Sequence, residues 1–134
     1  MSASLVKPRA LRPGATLAVL SPASAAKHER VLRGMNQLNA LGYRTVTGTH
    51  ALASGPLYYA GTCAERVEDF HAAFADPEVD AIICTRGGWG SAELLPYLDA
   101  GLVRANPKPF LGYSDHTSMH CWLRRCPGRV IGRR

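Results

Sequence analysis

The residues best suited to chemistry lie at 112–115, where Gly-Tyr-Ser-Asp follows the short apolar pair Phe110-Leu111. The pair predicts a buried strand, and the residues from Asp115 onward suit a helix. A serine at such a strand-to-helix turn is raised out of the sheet, beside the free N–H groups and positive end of the new helix. Attack by Ser114 on a carbonyl would therefore create an oxyanion close to backbone donors. The alternative is a simple N-cap, because a Ser-Asp pair often starts a helix and the second glycine of Gly-x-Ser-x-Gly is absent.

A glycine-rich segment, Arg86-Gly-Gly-Trp-Gly90, follows a second buried apolar run at 79–85. Backbone N–H groups at a helix start can hold a phosphate. However, this segment has neither the Gly-x-Gly-x-x-Gly order nor the Gly-Lys-Ser/Thr ending of nucleotide-binding loops. A tight turn without chemistry is a second interpretation. We favour a third, in which the N–H groups of this glycine loop (residues 86–90) face Ser114 and help to bind its oxyanion.

A base that could accept the serine proton is hard to find among the five histidines. His116 and His120 follow Ser114 by two and six residues, so neither is well placed to reach its hydroxyl from the same helix. The three others are predicted on a helix start, a loop and a helix body, away from the strand ends: His28, His50 and His71. His116 and His120 could chelate a metal with Cys121 nearby. A solvated or packed helix face explains them more simply, and we predict no metal site and no cofactor.

Composition and charge exclude several other classes. An apolar fraction of 46% and a charged fraction of 19% fit one ordinary globular domain. The net charge of +6 does not predict nucleic-acid binding, because residues 1–123 hold eleven Lys/Arg against ten Asp/Glu and the excess lies in 124–134. The longest early apolar run, 17–20, is too short for a membrane helix or a secretion signal. Without a C-x-x-C pair, the cysteines predict free thiols in the cytoplasm, with Cys84 in the core.

Strands and helices alternate along the predicted chain. Apolar runs predict strands at 16–20, 43–47, 79–85 and 110–111, and amphipathic or capped segments predict helices at 28–41, 62–75, from 91 and from 115. Residues 98–108 are predicted to be irregular. This order predicts an α/β fold with a doubly wound, mostly parallel sheet, Rossmann- or flavodoxin-like, and helices on both faces. The carboxyl ends of its strands would bring residues 21–22, the glycine loop and Ser114 together.

Four segments in this order resemble the N-terminal domain of the LD-carboxypeptidases, a serine peptidase family that includes murein-recycling and microcin-immunity enzymes. They are residues 11–24 (LRPGATLAVLSPAS), 85–91 (TRGGWGS), 94–99 (LLPYLD) and 106–115 (NPKPFLGYSD). We therefore expect residues 1–123 to form the nucleophile-bearing N-terminal domain of such an enzyme.

The resemblance implies a role for each residue of the candidate site. Ser114 would be the nucleophile, and the backbone N–H groups of Asp115 and Gly88 would form the oxyanion hole. Three other members of the glycine loop are expected to contact the substrate: Arg86, Gly87 and Trp89. The family reaction releases the terminal D-alanine of a murein tetrapeptide, so a murein-derived peptide or a related small amide is the expected partner. The family also commonly forms homodimers.

In the family, the histidine and glutamate that activate the serine come from a C-terminal domain. We expect that domain to be absent here and the fragment to be inactive alone. Residues 124–134 are expected to be a basic, off-pattern tail produced by truncation or a shifted reading frame. The alternative function is a non-catalytic module that binds a peptide or acyl ligand in the same pocket at the strand ends.

Overall fold

The computed structural model of the chain describes residues 6–126. Strands and helices alternate along this range, with two 3-10 helices among them. In chain order the elements are β1 (Thr16–Leu20), α1 (His28–Ala40), β2 (Arg44–Thr47), α2 (Cys63–Ala75), β3 (Ala81–Cys84), a 3-10 helix (Ser91–Tyr97), α3 (Ala100–Ala105), β4 (Phe110–Leu111), a one-turn 3-10 helix (Ser114–His116) and α4 (Thr117–Arg125).

The four strands lie parallel in one sheet, in the order β2-β1-β3-β4. The register places Thr16 of β1 opposite Arg44 of β2, and Leu17 of β1 opposite Ala81 of β3. Parallel neighbours need crossover connections, and the change of direction after β2 places these crossovers on both faces of the sheet. The predicted doubly wound parallel α/β fold is confirmed.

One face of the sheet carries the main hydrophobic core. Side chains of β1, β3 and β4 pack there against α2, the longer 3-10 helix, α3 and α4. The aromatic rings of Phe74 and Phe110 are fully buried and stack with 6.5 Å between centroids. On the opposite face, Val31 of α1 lines a cavity together with Val19 and Ile83 of the sheet. The sheet is therefore held between layers while its carboxyl edge stays open for a site.

The signals at helix ends are confirmed. Thr62 Oγ1 accepts the Glu65 N–H at 3.2 Å, and Glu65 Oε2 accepts the Thr62 N–H at 2.8 Å, which completes the capping box of α2. Gly42, with φ of +93°, follows the end of α1. The 3-10 helix that contains Pro96 ends one residue later, at Tyr97.

The prediction that residues 98–108 are irregular is wrong, because α3 occupies Ala100–Ala105. Asp99 caps this helix, since its Oδ1 accepts the Leu102 N–H at 3.0 Å. A length of six residues and a poor helix former, Gly101, hide α3 from a search for helical periodicity.

Helix α4 continues through Arg125, so the first two residues of the predicted tail are helical. Residues 127–134, with the other three tail arginines, lie outside the described residues. No helix between residues 6 and 126 is long and apolar enough to cross a membrane. Cys84 is buried as predicted, and this burial raises the pKa of its thiol.

Candidate active site

Ser114 occupies the turn between β4 and α4. Its φ is +57°, in the left-handed region, and the residue is exposed. β4 ends at Leu111, and the one-turn 3-10 helix begins at Ser114 itself. A non-glycine residue with this φ is strained, and such strain in a serine between a strand and a helix is typical of nucleophile elbows. The turn thus leaves the hydroxyl accessible at the carboxyl edge of the sheet.

The glycine loop lies directly against this serine. A Cβ atom on Gly87 would lie 2.9 Å from the Ser114 Cβ, 3.1 Å from its Oγ and 3.1 Å from the Asp115 nitrogen. Real Cβ atoms do not approach other atoms so closely, so Gly87 must lack a side chain for the two segments to meet. The structure therefore brings together the two segments that the sequence analysis singles out.

Several backbone N–H groups around the serine have no acceptor. Among the hydrogen bonds formed within residues 6–126, none is donated by the N–H of Gly87 or Gly88, and none by that of Asp115 outside its own 3-10 turn. The Trp89 N–H, in contrast, donates to Ser24 Oγ at 3.1 Å. Unpaired backbone donors beside an exposed hydroxyl are the groups from which an oxyanion hole is built.

The carboxylate of Asp115 joins the serine turn to the end of the glycine loop. Its Oδ2 accepts the Ser91 N–H at 2.9 Å, at the start of the longer 3-10 helix. The buried Ser91 hydroxyl donates to the Asp115 carbonyl at 2.8 Å and lies 2.8 Å from the Ser118 hydroxyl. This network fixes the Asp115 side chain in a structural role. Ser118 lies in no motif of the sequence, and Ser91 is only the last residue of the segment 85–91, without a role predicted for it.

The segment after β1 holds the other side of the glycine loop. The Ser24 N–H donates to the Gly87 carbonyl at 3.2 Å, while the Ser24 hydroxyl accepts from Trp89. The hydroxyls of Ser21 and Thr85 lie 2.7 Å apart, which joins the ends of β1 and β3. The three strand ends expected to meet at this edge therefore do so.

The predicted substrate-contact residues differ in exposure. Arg86 and Trp89 are exposed on the glycine loop, and the Trp89 residue retains 62% of its accessible surface. Gly87 is buried under Ser114 with its carbonyl engaged by Ser24. The exposed arginine and indole can therefore reach a ligand, whereas Gly87 provides the space in which the serine sits.

The two histidines nearest the serine face elsewhere. His116 is fully buried, and neither ring nitrogen has a hydrogen-bond partner within residues 6–126. Burial lowers the pKa of His116 to about 4, so its imidazole is neutral near pH 7. His120 Nε2 lies 2.9 Å from the Gly112 carbonyl. Neither ring is therefore placed to take the Ser114 proton.

The remaining histidines are also engaged. His28 Nε2 lies 2.7 Å from the Leu52 carbonyl, and His71 Nε2 accepts the Asp99 N–H at 2.9 Å. His50 Nδ1 lies 3.0 Å from Asp69 Oδ1, a hydrogen bond that raises the pKa of His50. The prediction that His50 lies away from the strand ends is wrong, because this residue follows the carboxyl end of β2. His50 is nevertheless engaged there, since its backbone N–H donates to the Asp69 carboxylate.

No metal centre is formed by the described part of the chain. Between residues 6 and 126, no three His, Cys, Asp or Glu side chains gather closely enough to hold a metal ion.

The fold and the site together define a class of protein. It is a parallel α/β domain with a strained serine at the carboxyl edge of its sheet. Comparison with known families is specific: residues 17–131 match the LD-carboxypeptidase N-terminal domain. The chain belongs to the LD-carboxypeptidase family, a family of hydrolases, which confirms the resemblance seen in the sequence.

Individual relatives agree with this assignment. A Streptomyces coelicolor protein with a carboxypeptidase name is 40% identical over 119 residues, which are 87% of this chain and 38% of that protein. The murein tetrapeptide carboxypeptidase of Pseudomonas aeruginosa is 41% identical over 100 residues, which are 74% of this chain and 32% of that enzyme. The solved structure of the microcin C7 self-immunity protein MccF in complex with aspartyl sulfamoyl adenosine matches with a TM-score of 0.84 and 30% identity, over 96% of this chain and 40% of MccF. The chain thus spans about two fifths, or less, of each relative's length.

Proposed function

We propose that this chain carries the nucleophile of a serine LD-carboxypeptidase. The observation that supports this proposal most strongly is the strained, exposed Ser114, which lies beside backbone N–H groups that lack acceptors. A strained conformation persists only where the surrounding structure fixes it, and such residues cluster at active sites.

The proposed reaction is acyl transfer to Ser114. Its Oγ attacks the carbonyl carbon of the residue before the terminal D-amino acid, and the carbonyl oxygen becomes negatively charged. The N–H groups of Asp115 and Gly88 donate hydrogen bonds to this oxygen. The C–N bond then breaks, the departing amine takes up a proton, and water hydrolyses the acyl-serine ester to regenerate the hydroxyl.

The proton of Ser114 needs an acceptor. The five histidines of the described range all point to other partners or into the core. We therefore place the general base outside residues 6–126. A second polypeptide segment, equivalent to the part of the relatives that this chain does not span, is its proposed source. The described domain alone should accordingly react only slowly.

The proposed substrate is a murein-derived peptide or a related small amide. The Pseudomonas relative is named for murein tetrapeptide, and MccF has been crystallised with aspartyl sulfamoyl adenosine. Both contain an acyl group linked to a polar leaving part. Arg86 and Trp89, exposed on the glycine loop, are the proposed contacts for such a ligand.

The engaged histidines also favour a second candidate function. Without a base, the same edge could hold a peptide or acyl ligand without cleaving it. The two candidates differ in one respect, since only an enzyme needs the hydroxyl of Ser114. We also propose a cytoplasmic location, a homodimer and no nucleic-acid partner for this protein.

The test joins residues 6–126 to the remaining segment of the Pseudomonas enzyme and measures D-alanine release from murein tetrapeptide. Ser114→Ala should abolish release. Ser54→Ala, which removes an exposed hydroxyl in the loop before α2, is the matched control and should leave release unchanged.

Equal D-alanine release by the Ser114→Ala chimera would contradict the serine mechanism. Tight binding of the tetrapeptide without release, unaffected by Ser114→Ala, would favour the binding module instead. Circular dichroism and a cooperative thermal transition must first show that each chimera folds.

A further inference from the structure

Arg66 of α2 is a buried charge whose contacts lead to the glycine loop. Its side chain is 1% exposed, and the nearest carboxylate, Glu93, lies 3.5 Å away with 44% of its own side chain exposed. A buried guanidinium is costly unless its N–H groups are satisfied. Most of its partners here are backbone carbonyl oxygens. The guanidinium therefore fixes the positions of backbone segments rather than pairing with a buried carboxylate.

Two of the three carbonyls belong to the glycine loop, which lies against Ser114, and to the segment after β1, which holds that loop. One terminal nitrogen, Nη1, donates to the Pro22 carbonyl at 2.9 Å and to the Gly90 carbonyl at 3.1 Å. The Nε–H donates to the Thr62 carbonyl at 3.3 Å, which ties the guanidinium to its own helix. Arg66 thus clamps the end of the glycine loop to the segment after β1.

The clamp is tightly packed. The guanidinium carbon lies 4.5 Å from the centroid of the Tyr59 ring, and the Tyr59 hydroxyl donates to Glu93 at 2.6 Å. A Cβ atom on Gly90 would lie 2.6 Å from the Tyr59 ring and 2.9 Å from Arg66 Nη1. Gly90 has φ of +118°, a conformation that glycine adopts far more readily than other residues. The loop end therefore has one orientation, which Arg66 and Tyr59 determine.

This orientation decides where the loop amides point. Between the Pro22 and Gly90 contacts lie the Ser24 hydrogen bonds to Trp89 and Gly87, and Gly87 touches Ser114. We propose that Arg66 is a positioning residue that holds the glycine loop against Ser114, so that the Gly88 N–H faces the oxyanion. The inference rests on the proposed function for its catalytic consequence, but the clamp itself can be measured independently.

Lysine cannot replace this arginine in the proposed role. An ammonium presents its donors from one point, whereas the planar guanidinium reaches Thr62, Pro22, Gly90 and Glu93 from three separate nitrogens. Arg66→Lys should therefore keep the positive charge but lose the hydrogen bonds that need donors at three separate positions. Arg66→Gln avoids a buried ammonium and serves as the second variant. Arg33→Lys, the same exchange at an exposed position of α1, is the matched control.

The first measurement is amide hydrogen exchange by NMR on the full chain. In both Arg66 variants the Trp89 N–H, which is bonded to Ser24 in the wild type, should exchange at least about tenfold faster, because its protection depends on local opening. The amides of β1 and β3 should keep wild-type rates, and Arg33→Lys should change nothing. Unchanged exchange at Trp89 in both Arg66 variants would overturn the proposal.

The second measurement is labelling with a fluorophosphonate. In this reaction Ser114 Oγ bonds to phosphorus, the P–F bond breaks, fluoride leaves with the electron pair and the hydroxyl proton passes to hydroxide. Loss of one oxyanion donor should lower the limiting rate by about 10²-fold in Arg66→Lys. The fluorophosphonate concentration that gives half the limiting rate should stay within about twofold of the wild-type value. Partial unfolding would not lower the limiting rate while leaving this concentration unchanged.

The outcomes separate the two proposals. A wild-type limiting rate in the Arg66→Lys variant, with a normal adduct on Ser114, would overturn the role of Arg66 and leave the serine mechanism standing. The lack of any Ser114 adduct in the chimera of residues 6–126 with the remaining segment of the Pseudomonas enzyme, which supplies the proposed base, would overturn the serine mechanism. In that case the Trp89 exchange rate alone decides whether Arg66 holds the loop.

Discussion

Gly87→Ala should damage the candidate site while leaving the backbone free of conformational strain. The added Cβ would lie 2.9 Å from the Ser114 Cβ and 3.1 Å from the Asp115 nitrogen. Carbon atoms in contact normally lie about 3.5–4.0 Å apart, so the serine turn and the loop must separate by about 0.5–1 Å. The φ of Gly87 does not fall in the positive range that disfavours other residues. The effect is therefore steric.

A displacement of this size sets the expected magnitudes. A misplacement of about 1 Å at a reacting group costs about 10²-fold in rate. Overpacking of a close contact costs about 1–3 kcal/mol in the free energy of unfolding. Fluorophosphonate labelling followed by mass spectrometry measures the rate at Ser114, and urea unfolding measures the stability.

Gly34→Ala is the matched control for this prediction. A Cβ on Gly34 meets no atom within 4 Å, and the residue lies inside α1. Alanine should therefore stabilise the helix by about 0.5–1 kcal/mol and leave the labelling rate unchanged. A Gly87→Ala variant that labels as fast as the wild type would refute the claim that the loop backbone packs against the serine.

Three further predictions concern the strained serine and two buried groups elsewhere in the domain, His116 and Lys108. Ser114→Gly should be more stable than Ser114→Ala by about 1 kcal/mol in the free energy of unfolding, because glycine adopts the positive φ without strain. Its melting temperature should therefore be higher, and equal melting temperatures would argue against strain. Burial lowers the pKa of His116 to about 4, so the stability that its neutral form confers is full above about pH 6.5 and is lost as the pH falls toward 4. The wild type should lose up to about 3 kcal/mol more unfolding free energy than His116→Leu between pH 7 and pH 4.5, as measured by urea unfolding. An identical pH profile in the variant would contradict the buried neutral imidazole. Lys108 Nζ donates to the carbonyls of Ala73 and Asp76 at the end of α2, so Lys108→Met should lower the unfolding free energy by about 1–3 kcal/mol, and thermal unfolding unchanged from the wild type would contradict this role.

Local patterns were sufficient to predict most of the fold. The apolar run at 16–20 is a strand buried on both faces, and it became β1 at the centre of the sheet. The Thr62 capping box marked the start of α2 because capping depends on neighbouring residues alone. The serine turn could also be predicted, since a short strand, a glycine and a helix start follow one another in the sequence. Helix α3 could not, because it is short and depends on the core for its stability.

The residues that support the serine could not be identified from local patterns. Ser24 meets Trp89 across 65 positions of the chain, and Ser91 meets Asp115 across 24. Arg66 looks in the sequence like a surface residue on an amphipathic helix, yet its guanidinium is buried under the glycine loop. Each of these roles arises only after the sheet has brought distant loops to one edge. The periodicity of the sequence does not indicate which loops meet at that edge.

The most direct test of the central claim compares two serines in the same molecule. Fluorophosphonate is added to the full chain, and peptide mapping follows the adducts on Ser114 and on the exposed Ser54 over a range of pH. If the strained turn and its unpaired amides activate Ser114, its adduct should form at least about 10²-fold faster than that on Ser54 at every pH. Adducts that form at equal rates on the two serines would contradict the account.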